Sequence, residues 1–151
     1  MVNIVNTKTV KAGDPNNQEL QTVLGDYMST LGNIPEAIRA MADYAPEALL
    51  GYSRTRRYIM RSPVQGGALD LRTKELIYVL LDVVEGNLDG AKNHVRAAVR
   101  EGLTLAQLTE GCMQVMAVCG IETWGQTGWK LCDYVAELER EQRVRETDTQ
   151  A

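Results

Sequence analysis

From residue 17 onward, apolar residues recur at helical spacings, and proline and glycine punctuate the runs. A first helix is expected over 17–30, stopping at Gly32-Asn33. Pro35 suits the first turn of a second helix, running to about Asp43, and Pro46 opens a third, to about Arg61. Pro63 with Gly66-Gly67 ends that one. Asp70 is a good N-cap for a fourth helix over 71–85, which Gly86-Asn87 breaks. A fifth helix covers about 89–101 and ends at Gly102. Thr104-Leu105-Ala106-Gln107 is a capping box that starts a sixth, ending near Gly120. A seventh runs from about Glu122 into the charged tail at 137–146. No pair of alternating, strand-like runs and no internal repeat is visible. The pattern predicts an all-α, single-domain bundle of about seven helices: an arm over 1–16, a helical domain over 17–146 and a frayed tail over 147–151.

The faces of these helices carry more detail. Leu76, Ile77, Tyr78, Val79, Leu80, Leu81, Val83 and Val84 leave helix 71–85 almost no polar face. Such a helix belongs in the middle of a bundle or in a subunit interface. Its exceptions are Glu75, Asp82 and Glu85. Glu75 and Asp82 share one face with Tyr78 between them, and Asp82 and Glu85 read as the wet side. In the sixth helix Leu105, Leu108, Cys112, Val115 and Cys119 form a packing stripe. Cys112 and Cys119 lie roughly 10 Å apart along one helix axis. They cannot bridge each other and read as small buried hydrophobes.

Composition narrows the class. A chain of 151 residues, 44% hydrophobic and 24% charged, is ordinary for one soluble globular domain. Lys+Arg is 16 against 20 Asp+Glu, a net charge of −4, which argues against nucleic-acid binding and against a basic membrane anchor. With two Trp, six Tyr and no Phe, the core must be mostly aliphatic. Three cysteines in no tight motif argue against a disulfide framework and for a reducing compartment. The polar start has no signal-like apolar run, and no run is long enough to span a membrane. A cytoplasmic protein is expected.

Candidate chemistry is sparse. His94 is the single histidine, set among Ala91, Ala97 and Ala98, so it is either a structural group or the one side chain that ordinarily titrates near neutrality. One histidine with scattered carboxylates lacks the pairing of a helical metal site, and no metal is expected. Arg54, Arg57 and Arg61 share a helix face with Arg56 beside them. They form either a solvated basic face or a holder for carboxylates. No phosphate-binding glycine loop, dinucleotide fingerprint or nucleophile elbow is present.

Three stretches carry a resemblance. They are Leu69-Asp70-Leu71-Arg72-Thr73-Lys74-Glu75-Leu76-Ile77, then His94-Val95-Arg96-Ala97-Ala98 with Glu101-Gly102-Leu103-Thr104, then Gln114-Val115-Met116-Ala117-Val118-Cys119-Gly120. Together they resemble the carboxymuconolactone decarboxylase family, which includes the alkylhydroperoxidase D-like proteins. The family's redox branch has a Glu, eleven residues, a Cys, two residues, a second Cys, three residues and a His. Glu75 and His94 fall on the ends of that frame, and Asn87 and Gly90 stand where its cysteines would be. Without those thiols there is no low-pKa thiolate and no resolving partner in the motif.

The resemblance implies the decarboxylase chemistry instead. Its substrate class is a small carboxylated lactone or keto acid, handled as a lyase or isomerase without cofactor. In that reading His94 is the general acid/base, and Glu75, on the preceding antiparallel helix, holds the imidazole and raises its pKa. Tyr78, Asn87, Arg54 and Arg57 complete the expected substrate-binding set. Free N–H groups near Leu88 to Ala91 are a second place for a carboxylate, which Asp89 opposes. The family also implies a homo-oligomer, trimer or hexamer. The alternatives are a non-catalytic oligomeric binding or scaffold member and a peroxidase-like protein using atypical cysteines.

Overall fold

The computed structural model describes residues 15–149, and these form two compact units that divide after Ala68. Residues 1–14, most of the expected arm, lie outside the described residues, as do the last two of the expected tail. Seven helices and no strands are found among the described residues. The all-α class is therefore observed. No helix there is long and apolar enough to cross a membrane.

The first unit holds α1 (Pro15–Leu31), α2 (Glu36–Tyr44), α3 (Pro46–Ile59) and a short 3-10 turn (Pro63–Gln65). On α1, Leu20, Val23, Leu24, Tyr27 and Leu31 make one buried stripe. Ala42, Leu49 and Leu50 supply apolar surface from α2 and α3. Pro46 sits in the first turn of α3, where its missing N–H costs nothing.

The second unit holds α4 (Leu71–Glu85), α5 (Leu88–Arg100), α6 (Leu105–Cys119) and α7. The last helix opens as Ile121–Thr123, passes through one π-helical turn at Trp124–Gly128 and continues as Trp129–Thr149. It thus runs past the expected end at 146. The wide turn lays the Trp124 ring on the Gly128 backbone, where a Cβ would fall 2.9 Å from a ring carbon. One aliphatic core joins the four helices: Val79, Val83, Ala91, Val95, Ala98, Leu103, Leu108, Cys112, Leu131 and Val135.

The helix ends follow their side-chain signals. Asp70 Oδ1 accepts from the Thr73 amide at 2.8 Å, as expected of an N-cap. That bond holds the Asp70 carboxyl below its usual range. Thr104 Oγ1 accepts from Gln107 N at 3.2 Å while Gln107 Oε1 accepts from Thr104 N at 3.1 Å, which completes the capping box.

Two expectations change on burial. Helix α4 is not enclosed within its own unit, because Ile77, Leu81 and Val84 are exposed, and of the two expected settings the subunit interface is the one still open. The packing stripe of α6 is buried at Leu108 and Cys112 but exposed at Cys119, because the helix outruns the core it packs on.

Thr104→Ala removes one half of the capping box at the start of α6. It is expected to cost about 1 kcal/mol, measured as a lower urea midpoint at unchanged slope.

Candidate functional site

Helices α4 and α5 form a hairpin closed by two residues. Gly86 adopts φ +70°, and Asn87 N donates back to Asp82 O at 2.9 Å, a Schellman-type ending. The chain then turns at once into α5, capped by Asn87 itself, whose Oδ1 accepts from Gly90 N at 3.1 Å. Contacts run from Asp82 with Gly90 to Glu75 with His94, so the two helices are antiparallel.

Spacing on each helix aims the site inward. Glu75, Val79 and Val83 form the buried row of α4. Ala91, Val95 and Ala98 form that of α5, with His94 beside them. The small alanines let the helices close on each other. Glu75 is therefore carried into the core with its valines, at 2% exposure. Its charge finds one partner there: His94 Nδ1–H donates to Glu75 Oε2 at 2.7 Å. Tyr78, one turn along α4, stacks on the imidazole with ring centroids 4.7 Å apart and planes 16° off parallel. The ring is thus gripped at one nitrogen and covered on one face. Its second nitrogen, Nε2, makes no hydrogen bond among the described residues.

Asp82 borders the same group. Its Oδ1 accepts from Asn87 Nδ2 at 2.8 Å. A Cβ at position 90 would lie 2.8 Å from each Asp82 carboxylate oxygen and would also collide with Asn87 Nδ2. Gly90 is therefore the residue that admits the Asp82–Asn87 pair against α5. Burial pushes the Asp82 carboxyl above its ordinary value, against the opposing pull of the Asn87 bond and of His94.

The structure thus brings Glu75, Tyr78 and His94 together and places Asn87 at the hairpin turn nearby in sequence. Arg54 and Arg57 belong to the first unit, where they reach Glu19 at 3.4 Å and 3.7 Å. The expected carboxylate cradle at the start of α5 is largely occupied. Leu88 N donates to Gly86 O, Gly90 N to Asn87 Oδ1 and Ala91 N to Asn87 O. Side-chain capping and the tight turn have consumed those donors. Asp82, expected on the wet side of α4, is half-buried. The available signal was Gly90, because a glycine inside a helix marks a close approach.

The model of the carboxymuconolactone decarboxylase family matches residues 46–126. A solved structure from Burkholderia xenovorans LB400, titled "putative carboxymuconolactone decarboxylase", superposes with a TM-score of 0.80 at 36% identity. The match covers 86% of this chain and 98% of that one. A search of curated proteins found no match.

Two measurements test the site's energetics. His94→Leu strands a carboxylate that is 3% exposed and is expected to cost about 3–5 kcal/mol. The double substitution Glu75→Leu/His94→Leu removes both charges and is expected to recover a large part of that loss, seen as strong non-additivity in urea unfolding. For Asp82 the folded state holds its proton more tightly than the unfolded chain. Stability therefore falls as pH rises through the window above 3.8. Asp82→Asn keeps an acceptor for Asn87 and is expected to stabilise the protein at neutral pH, with the gain vanishing as pH drops below 3.8. Denaturation curves across pH 3 to 7 (roughly the span of both carboxylate states) check this.

Proposed function

The chain belongs to the carboxymuconolactone decarboxylase family, and from that premise we propose that it is a cofactor-free carboxy-lyase, or isomerase, for a small carboxylated lactone or keto acid. The observation that carries this reading is the buried Glu75–His94 bond with the far imidazole nitrogen left unpartnered among the described residues. Glu75 anchors Nδ1–H, so Nε2 is the nitrogen available to substrate. The name of the Burkholderia structure points to the same reaction class.

The chemistry asks little beyond placement. When a carboxylate leaves as carbon dioxide, the electron pair of the broken C–C bond flows into a conjugated carbonyl. His94, protonated on both nitrogens, returns a proton from Nε2 to the substrate carbon, and solvent restores it. Glu75 stabilises the imidazolium before transfer and fixes the ring's tautomer after it. The isomerase variant uses the same two groups, with Nε2 taking a proton from one carbon and returning it to another. Tyr78 keeps the ring from swinging out of line.

Positions 87 and 90 support proton chemistry over motif-thiol chemistry. The family's redox frame would place sulfur there, and this chain has the Asp82–Asn87 hydrogen bond lying over Gly90. Assembly into a homo-oligomer belongs to the same proposal. Ile77, Leu81 and Val84 make an apolar row on α4, exposed by 44%, 56% and 43%, which a second copy would cover.

The test measures carbon dioxide release from a panel of carboxylated lactones and 3-oxo acids. His94→Gln is expected to lower turnover by about 100-fold or more, and Glu75→Gln to lower it in the same direction. Native turnover in a folded His94→Gln protein would remove this mechanism.

A further inference from the structure

A second reactive feature of the second unit lies in its cysteines. Cys112 on α6 is a core residue at 1% exposure, and Cys132 on α7 packs against the same cluster while only partly buried. Cys132 is thus set against the stretch of α6 that carries Cys112. Thr109, one turn before Cys112 on α6, places its hydroxyl 3.5 Å from the Cys132 sulfur. Both thiols are free, and the third cysteine, Cys119, is exposed.

We propose that Cys112 and Cys132 are a redox-sensitive pair that closes to an intramolecular disulfide when hydrogen peroxide oxidises Cys132. The assignment does not depend on the Glu75–His94 reading. Donation from Cys112 stabilises sulfur anion at Cys132 and lowers its pKa, against the opposing effects of burial and of Asp133. The same bond, with burial, holds the Cys112 proton in place. The Thr109 hydroxyl, which also reaches Leu105 O at 2.8 Å, turns to the sulfur when charge appears there. Partial burial of Cys132 favours a small uncharged oxidant over a bulky disulfide.

The steps balance. The Cys132 thiolate attacks one peroxide oxygen, the O–O bond breaks, and the departing hydroxide takes up one proton and leaves as water. This makes a sulfenic acid at Cys132. The Cys112 sulfur then attacks the Cys132 sulfur, its proton leaves with the hydroxyl as a second water, and the S–S bond forms. Two electrons pass from the thiol pair to one peroxide molecule.

The experiment uses the full chain carrying Cys119→Ser, treated with hydrogen peroxide and then mapped by peptide mass. The expected result is loss of both remaining thiols, a peptide pair joined between positions 112 and 132, and full reversal by dithiothreitol. Cys132 carrying a sulfenic or sulfinic acid with Cys112 still free would overturn the proposal, as would two intact thiols. A second arm compares the rate at which a small alkylating reagent modifies Cys132 near neutral pH. Cys112→Ala removes the donor and is expected to slow that rate about 10-fold. An unchanged rate in a folded Cys112→Ala protein would show that the two sulfurs do not share a proton.

Discussion

One interaction sets terms for the second unit: a carboxylate kept inside a helix pair. Charge removed from water is costly unless it is bonded within the protein. Glu75, among the most buried of the described side chains, has its partner among the described residues in His94, at 2.7 Å. The bond forms only if α4 and α5 lie close, and closeness demands the alanines of α5 and a turn of two residues. Val79 and Val83 of α4 and Val95 of α5 belong to the core of the same unit. The carboxylate that threatens the fold is bonded to the imidazole proposed to move protons, so packing and chemistry cannot be tuned separately.

The turn end of the hairpin shows how one small position changes the available chemistry. With no side chain at Gly90, an acid and an amide settle against α5, and Asn87 does double service as cap and as donor to Asp82. A side chain at 90 would force both to move. The motif that carries sulfur in the family's redox branch is thereby filled with oxygen and nitrogen groups. The proposed sulfur chemistry lies instead between α6 and α7, where Cys132 packs against the core that holds Cys112. The second unit thus has the Glu75–His94 pair along one helix pair and two thiols along another.

The elements and their ends were legible because their causes are local. Asp70, Thr104 with Gln107, Pro46 and Gly86 act within one turn of themselves, and each did what its side chain or backbone freedom dictates. The Glu75–His94 meeting was legible for a different reason: the family frame supplied it, and spacing alone left His94 as either structural or catalytic. Asp82 was misjudged because a helix face that is polar in sequence is wet only if nothing packs on it. The carboxylate cradle at the start of α5 failed similarly, since the donors are visible in sequence but their occupation by Asn87 and Gly86 is not.

The amino-acid order by itself determined that this chain is helical, where most helices begin and end, and that Asn87 and Gly90 stand where the family's redox frame has cysteines. These follow from propensity, capping and residue identity, which act over a few residues. Only the tertiary structure decided which carboxylates lose water, that Ile77, Leu81 and Val84 stay exposed on an apolar helix, and that Cys132 packs against the core that holds Cys112. Burial and pairing between helices depend on how each helix is rotated against its neighbours. That rotation is set by the whole core at once, so no single stretch of sequence contains it.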